Sequence, residues 1–402
     1  MKILSLALAM LFLCADAHAR LSPLAPAPDW SRLDTFQGTM TKADFQGLLD
    51  RVYAPGGAWA ECISLDGGSA TIRTSPGRAP YHLKFAPDAA SSKRPDVYWR
   101  PRAALPAPAA GKPLSGLKIA LDPGHIGGGW AKIEERWFRV GSSAPVTEGD
   151  MTLRVAKLLA PKLQALGAEV FLTRSKAAPV TSARPAQLRA AAADALKQKG
   201  DAPTKSAVTK ESERLFYRAS EIRRRARLVN ETIRPDLVLC LHFNAEAWGN
   251  EKSPRLVNEN HLHFLVTGSL TREELSYDDQ RLEMLVKLLG RSFAEELPLT
   301  NAMSGTMARA TGLPPYDYQS GRAARVNGNP YVWARNLLAN RLFSCPVVYV
   351  EPYVMNGRAA FARIQAGDYD GRRNFGGVAR KSIYREYADS VADGLVKYYS
   401  TR

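Results

Sequence analysis

The 402-residue sequence predicts an α/β fold in which helices cover both faces of a mixed, mostly parallel central sheet. From residue 114 onward, short apolar runs alternate with segments whose apolar residues recur at helical spacing. Residues 20–100 instead contain one short helical pattern and two short strand patterns, which predict a small α+β region. Residues 101–113, with four Pro and five Ala, separate the two parts and are predicted to be an extended linker.

The first nineteen residues have the features of a secretory signal peptide. Lys2 supplies a positive start, residues 3–13 are mostly apolar, and Ala17 and Ala19 form a small-x-small cleavage site. A buried N-terminal helix is the alternative, whereas a lipoprotein signal at Cys14 is disfavoured by the bulky residue before it. The sequence therefore predicts export, to the periplasm rather than the extracellular space. It predicts no membrane span, because no later stretch reaches about 18 consecutive apolar residues.

The helix of the small region is predicted to begin at Thr41, which can cap it, and to carry Phe45, Leu48 and Val52 on one face. Short strands are predicted to follow at 58–65 and 69–74, and the larger part opens with a strand at 117–121. The remaining elements are predicted in chain order as a helix at 149–166, a strand at 168–173, a basic helix at 214–233, strands at 236–245 and 261–268, a helix at 279–297, a strand at 345–351 and a closing helix at 379–399.

The composition is that of a basic globular protein. The formal net charge is +16, and the 45% of apolar residues excludes disorder of the whole chain, because disordered chains lack this much apolar content. Residues 1–19 carry one charge of each sign, so the remainder keeps the same net charge. A basic exported protein is expected to have an anionic partner in the cell envelope rather than nucleic acid. Arg223, Arg224, Arg225 and Arg227 are predicted to spread around a helix as a solvated basic surface.

Three cysteines lie beyond the first nineteen residues, at Cys62, Cys240 and Cys345. An odd number leaves at least one of them unpaired within the chain. Cys240 falls in a run of apolar residues and is therefore predicted to be a buried free thiol.

Four chemically active side chains fall at predicted ends of elements. His125 follows a strand in DPGH, His242 ends a strand in LCLHFNA, Glu351 ends a strand in VVYVE, and Glu148 begins a helix. Active residues of α/β sheets collect where the strands run out at their carboxyl ends. Two His and one carboxylate form a zinc ligand set that leaves a position for water, and a further carboxylate can take the proton of that water. Each residue alone could be structural, but their combination favours a functional site.

These residues stand in motifs that resemble the zinc-dependent N-acetylmuramoyl-L-alanine amidases of bacterial cell walls. That family opens with a strand ending in Asp-Pro-Gly-His, here LKIALDPGH, and continues with a Glu that begins a helix, here EGDMTLRVAKLLAPKLQALG. A strand ending in Thr-Arg follows, here AEVFLTR. A helix with Arg and Asn then leads to a strand ending in His-x-Asn-Ala, here RRRARLVNETIRPDLVLCLHFNA. The last motif is a strand-end Glu, here VVYVEPYVMN, so the resemblance spans roughly residues 117–356.

The resemblance implies that His125, Glu148 and His242 are zinc ligands and that Glu351 is the catalytic carboxylate. It implies hydrolysis of the amide between N-acetylmuramic acid and the L-alanine of the stem peptide, with peptidoglycan or a muropeptide as substrate. Residues 114–402 would then form the catalytic domain, with insertions near 126–147, 175–214 and 297–344. A protein activator is possible, but nothing in the sequence identifies one.

Two other groups of residues compete for a role at the site. Glu134 and Glu135 lie between His125 and Glu148 and are rival carboxylates, although neither opens an amphipathic helix. His261 and His263 alternate on a predicted strand and so share one face, which would suit a second metal. A surface pair is the favoured interpretation, because no carboxylate has a matching spacing.

Three other functions compete with a zinc amidase. A non-catalytic peptidoglycan-binding relative should have lost a ligand or the catalytic carboxylate, and this sequence retains all four. A zinc peptidase acting on another amide could use the same residues, because insertions would shape its groove. A secreted polyanion binder would use the positive charge and require no metal. Gly-x-Ser-x-Gly and His-Glu-x-x-His do not occur in the sequence, which disfavours serine hydrolases and helical metalloproteases.

Overall fold

The structure is a computed structural model that describes residues 20–250 and 253–400. The predicted signal peptide, residues 1–19, lies outside the described residues. Within the part of the chain that is described, no helix is both long enough and apolar enough to cross a bilayer.

The N-terminal region contains a short helix and a three-stranded antiparallel sheet. These elements are α1 (Lys42–Leu48), β1 (Ile63–Leu65), β2 (Ser69–Ile72) and β3 (Tyr81–Lys84). As predicted, the Thr41 side chain caps α1 by accepting a hydrogen bond from the Asp44 amide at 3.1 Å. Phe45 and Tyr53 are fully buried in the same apolar cluster as Leu121 of the larger part, and Leu114, directly after the predicted linker, joins them. The small region therefore packs on the larger part through a shared core.

The larger part contains the main sheet and the remaining helices. Its strands are β4 (Lys118–Pro123), β5 (Trp137–Phe138), β6 (Val146–Thr147), β7 (Glu169–Leu172), β8 (Leu237–Leu241), β9 (Leu262–Thr267), β10 (Ala323–Arg325), β11 (Val332–Arg335), β12 (Val347–Pro352), β13 (Arg373–Phe375) and β14 (Val378–Arg380). Its helices are α2 (Glu148–Ala165), α3 (Arg189–Gln198), α4 (Lys205–Leu215), α5 (Glu221–Arg227), α6 (Arg272–Leu275), α7 (Asp278–Leu289), α8 (Ser292–Thr311), α9 (Leu338–Leu342), α10 (Arg358–Gln365) and α11 (Ile383–Tyr399).

Seven strands form the main sheet in the order β10-β11-β9-β12-β8-β4-β7. Strands β12, β8, β4 and β7 are mutually parallel, as are β11 and β9, whereas β9 runs antiparallel to β12 and β10 to β11. The predicted fold class, a mixed and mostly parallel sheet after a small α+β region, is confirmed.

Helices cover both faces of this sheet. Leu237, Leu239 and Leu241 of β8 belong to the cluster that contains α2, α8 and α11. Val238 and Cys240, which alternate with them, belong to a second cluster formed with α5 and α9. Because successive strand residues point to opposite faces, these two clusters lie on opposite sides of the sheet. The continuous apolar run of β8 is typical of a strand buried on both faces.

The helix predicted at 279–297 is two helices. Gly290 and Arg291 interrupt it, and Arg291 adopts the left-handed conformation with φ of 60°. The second helix, α8, then runs through Pro298 to Thr311 and packs against α11 and β12. The segment 297–344, predicted as an insertion, thus supplies most of α8 together with β10 and β11 at the edge of the main sheet.

Cys62, Cys240 and Cys345 are all free and buried, so the expected buried thiol at Cys240 is confirmed. Burial raises the pKa of each thiol. The three thiols therefore behave as small apolar groups of the core.

Candidate active site

His125 and His242 follow two neighbouring parallel strands of the main sheet. His125 comes two residues after β4, in a turn where its own φ is 58°, and His242 follows directly on β8. Strands β4 and β8 are parallel and paired, so their carboxyl ends lie side by side. Glu148, the first residue of α2, lies beside both of them and is buried. The sheet topology therefore brings these three side chains together.

The three side chains form a compact cluster. His125 Nε2 lies 3.1 Å from one oxygen of Glu148, and His242 Nδ1 lies 3.0 Å from the other. One donor atom from each residue lies within 4.8 Å of the other two. Burial raises the pKa of Glu148, but the two imidazoles outweigh burial and hold it well below its usual range. An ionised carboxylate with two imidazole nitrogens is a donor set that fits Zn²⁺.

Two glycine contacts leave no room for larger side chains around this cluster. A Cβ atom on Gly124 would lie 2.2 Å from Cε1 of His242. A Cβ atom on Gly149 would lie 2.3 Å from the amide nitrogen of Gly127. The turn after β4 can therefore approach His242 and the start of α2 only because these positions are glycine.

Two buried arginines hold the turn after β4. Arg174, which follows β7, donates to the carbonyl oxygens of Pro123, Gly124 and Gly149 at 2.6–3.0 Å. Burial and the neighbouring Arg225 lower the pKa of Arg174 to about 10. Arg225 donates to the His125 carbonyl at 2.7 Å. These two residues fix the backbone that carries His125.

Four arginines of helix α5 were predicted to form a solvated basic surface. This prediction is wrong for two of them. Arg223 and Arg225 are buried, whereas Arg224 and Arg227 are exposed. Arg225 is paired with Asp122 at 3.0 Å and with Glu221 at 2.8 Å. Arg223 lies 3.5 Å from Asp279 and 3.7 Å from Glu283. All of these acidic partners except Glu221 lie far away in the sequence, so helical spacing alone could not reveal them.

Neither rival carboxylate joins the cluster. The Glu134 oxygens accept hydrogen bonds from the amides of Ile126 and Gly127 at 2.8 and 2.9 Å, which shapes the loop after His125. Glu134 also lies 3.6 Å from Nδ1 of His125, behind the ring. Glu135 is exposed and faces cations on the neighbouring helices. These contacts leave Glu148 as the carboxylate between the two imidazoles.

Glu351 lies on β12 and lines the same cleft as the cluster, a cavity of about 750 Å³. Strand β12 is the parallel neighbour of β8, so Glu351 and His242 emerge at the same edge. The Glu351 side chain is 18% exposed and lies 3.3 Å from Nε2 of His263. Burial raises the pKa of Glu351, but the hydrogen bond and charge of His263, together with the charge of His242, outweigh burial and lower the pKa overall. Glu351 thus presents an ionised carboxylate to the cleft.

Other side chains at the cleft carry no signal in the sequence. Arg136 Nε lies 3.1 Å from Glu148, and the side chain is one-third exposed in the cleft. The Tyr349 ring stacks on His242 with centroids 4.3 Å apart and fixes the plane of the imidazole. Arg136 immediately precedes the short strand β5, and Tyr349 lies in the middle of an apolar strand. Only the folded arrangement shows that they reach the site.

The prediction of a surface pair at His261 and His263 is wrong, since both are buried. Strand β9 lies inside the sheet, between β11 and β12, and all of its residues are buried, so neither of its faces is open to solvent. His261 lies 3.0 Å from Glu246 and His263 lies 3.3 Å from Glu351. Neither histidine belongs to the metal-binding group found among the described residues.

The loop after Glu351 contains a residue other than glycine in the left-handed conformation. Tyr353 adopts a φ of 59°, a left-handed conformation that is costly for a bulky side chain. Its amide donates to the His261 carbonyl at 2.9 Å, and its hydroxyl donates to Glu386 at 2.8 Å. Asn356, fully buried, accepts a hydrogen bond from the Glu246 amide at 3.0 Å. These contacts stabilise the loop without a glycine.

Comparison with known proteins agrees with the family that the motifs resemble. The family model described as N-acetylmuramoyl-L-alanine amidase matches residues 119–371, more than half of the chain. Among solved structures, an amidase of this name from Mycobacterium smegmatis shares 16% identity over 72% of this chain and 99% of its own, with a TM-score of 0.40. An amidase of Nostoc punctiforme shares 17% identity over 71% of this chain and 98% of its own, with a TM-score of 0.37.

The catalytic domain of an amidase from Bacillus (Paenibacillus) polymyxa var. colistinus also shares 17% identity, over 71% of this chain and 99% of its own, with a TM-score of 0.37. No curated protein matches the chain. The family match spans every motif from the first main strand to the loop beyond Glu351. The chain belongs to the N-acetylmuramoyl-L-alanine amidase family.

Proposed function

We propose that this protein is an exported zinc hydrolase that cleaves the amide between N-acetylmuramic acid and the L-alanine of the peptidoglycan stem peptide. The observation that carries this proposal is the meeting of His125, Glu148 and His242 beside Glu351 in one cleft. Family membership supports the peptidoglycan amide as substrate. The net charge of +16 suits an anionic wall polymer.

In this proposal the three clustered side chains hold the metal, and Glu351 moves the proton. Zinc at this site would polarise the amide carbonyl and lower the pKa of water. Glu351, ionised and facing the cleft, accepts a proton from the attacking water and delivers it to the departing L-alanine nitrogen. Tyr349 keeps the His242 ring in place, and Arg225 keeps the His125 backbone in place.

The domain assignment and the location of the protein belong to the same proposal. Residues 114–402 form the catalytic domain, and residues 1–19 direct export to the periplasm. Arg136, Arg218 and Arg335 line the cleft and supply positive charge where the carboxylates of a stem peptide would lie. The substrate is accordingly an anionic muropeptide or wall strand.

The direct test is digestion of purified peptidoglycan by residues 20–402, with and without a chelator, followed by mass spectrometry. We expect free stem peptides with an L-alanine amino terminus, lost on chelation and restored by zinc. Cleavage at a different amide would identify a different zinc peptidase. Bound zinc without cleavage of any wall amide would contradict the proposed reaction.

Metal binding has its own test. His242→Ala should lose stoichiometric zinc, because it removes a ligand from a buried three-residue set. His82→Ala is the matched control, since His82 is exposed on β3. Zinc retained by His242→Ala at the level of the control would exclude this ligand set.

A further inference from the structure

Beside the proposed metal ligands, the structure contains a second pair of histidines that the proposed mechanism does not use. His261 immediately precedes β9 and His263 lies within it, and their side chains are 8% and 1% exposed. In the antiparallel pairing of β9 with β12, His263 is directly opposite Glu351. Glu351 lines the cleft, whereas the buried His263 lies behind it. His263 can therefore act on the reaction only indirectly, and Glu351 is the cleft residue directly opposite it.

Polar side chains surround the His263 ring at both nitrogens. Nε2 lies 3.3 Å from Oε2 of Glu351 and 3.0 Å from the Tyr318 hydroxyl. Arg335 in turn donates to the Tyr318 hydroxyl at 3.2 Å. Nδ1 lies 3.3 Å from the side-chain nitrogen of Asn244. The imidazole is thus held between an amide on one side and the carboxylate of Glu351 on the other.

Asn244 determines which ring nitrogen of His263 carries the proton. Its side-chain oxygen accepts a hydrogen bond from the Ala245 amide at 2.7 Å, so its NH₂ group must face the histidines. That NH₂ group lies 3.2 Å from Nδ1 of His261 and 3.3 Å from Nδ1 of His263. It has two protons to donate, one for each Nδ1. Both Nδ1 atoms must therefore be unprotonated acceptors, and the proton of each neutral ring is on Nε2.

We propose that His263, held by Asn244 as the Nε2–H tautomer, is a positioning residue that orients the Glu351 carboxylate in the cleft. The Nε2–H is shared between the Tyr318 hydroxyl at 3.0 Å and Oε2 of Glu351 at 3.3 Å, and this shared donor fixes the rotation of the carboxylate. A carboxylate held in one orientation meets the attacking water without first having to be ordered. This inference rests on the proposed role of Glu351 as proton acceptor.

The kinetic test compares His263→Leu and His263→Gln with His261→Leu on a soluble muropeptide. His261 is a matched control because it is also buried, faces the same side of the strand and contacts Asn244, but pairs with Glu246 instead of Glu351. We expect His263→Leu to lower kcat about 100-fold while KM and zinc content stay near the wild-type values. His263→Gln, which keeps an N–H donor, should recover most of this loss.

A double-mutant cycle separates positioning from general damage to the strand. When Glu351 is already Gln, the carboxylate that His263 orients is gone, so adding His263→Leu should reduce kcat by no more than about threefold. An equal loss in both backgrounds, or an equal loss in His261→Leu, would overturn the proposal. If the wild-type protein cleaves no muropeptide, the proposed function fails, which is a different result from a failure of these variants.

The tautomer of His263 can also be measured directly, without an activity assay. Long-range ¹H–¹⁵N spectra of the imidazoles report the tautomer of each ring, and the His263→Gln spectrum assigns the His263 signals. We expect His263 to carry its proton on Nε2 in the zinc-loaded protein. A proton on Nδ1 would overturn the proposal whatever the kinetics show.

Discussion

Two histidine pairs lie in this molecule, and the group between the two rings of each pair differs. Between His125 and His242 stands the carboxylate of Glu148, which accepts hydrogen bonds and carries negative charge. Between His261 and His263 stands the amide of Asn244, whose NH₂ group donates to both rings. A carboxylate has no proton of its own, so it and two deprotonated imidazole nitrogens can share one cation, whereas an amide NH₂ fills the imidazole lone pairs with its own protons. The first pair is therefore suited to a metal and the second to holding carboxylates.

Disrupting the cluster of His125, Glu148 and His242 should have the largest effect on zinc content and turnover. Glu148→Gln removes the negative charge between two buried imidazoles and gives the metal a weaker ligand. We expect zinc content to fall to background and turnover to drop by about 10⁴-fold or more, because all metal chemistry is lost. Zinc measured by mass spectrometry on the dialysed protein, with Glu169→Gln as an exposed control, checks this. Full zinc in Glu148→Gln would show that the carboxylate is not a ligand.

Removing the proposed proton acceptor, Glu351, should have the next largest effect on turnover. This substitution should leave zinc binding unchanged. Glu351→Gln keeps the shape of the side chain but removes its basicity, so we expect kcat to fall by about 10²–10⁴-fold. Because Glu351 lies outside the cluster of three, zinc content should match the wild type. Near-normal turnover by this variant would remove Glu351 from the mechanism.

Arg225 distinguishes the two pairs, because it supports only the first. It donates to the His125 carbonyl and pairs with Asp122 and Glu221 in a buried position. Arg225→Ala leaves the buried carboxylates of Asp122 and Glu221 without their cationic partner. It should therefore lower the free energy of unfolding by about 3–5 kcal/mol. Arg224→Ala, on the exposed face of the same helix, should change it by less than about 0.5 kcal/mol. Chemical denaturation of both variants checks this, and equal stabilities would contradict the buried network.

The residues of the two histidine pairs also show which features the sequence predicts and which it does not. Strand and helix periodicity predicted the α/β class, and the three strand ends at His125, His242 and Glu351 pointed to one edge of the sheet. Periodicity could not show that Arg225 of α5 is buried, since Asp122, which neutralises it, lies on strand β4, far away in the sequence. It could not show that β9 runs antiparallel to β12, so the pairing of His263 with Glu351 had no signal in the sequence. Local patterns predict elements and their ends, whereas partners across the sheet depend on topology.

The smallest effect on kcat should come from replacing Asn244, whose amide lies between His261 and His263. Asn244→Ala removes the donor that selects the tautomer of both rings, but His263 remains able to reach Glu351 through Nε2. The ring should then exchange between tautomers, and only the Nε2–H form orients the carboxylate. A proton shared about equally between the nitrogens lowers kcat by only about twofold, and a strong shift to Nδ1 lowers it by about tenfold. Imidazole ¹⁵N shifts and kcat should therefore change together, while zinc at the first pair stays stoichiometric. A tautomer change without any change in kcat would separate the second pair from catalysis, whereas a loss of zinc would mean that the two pairs are not independent.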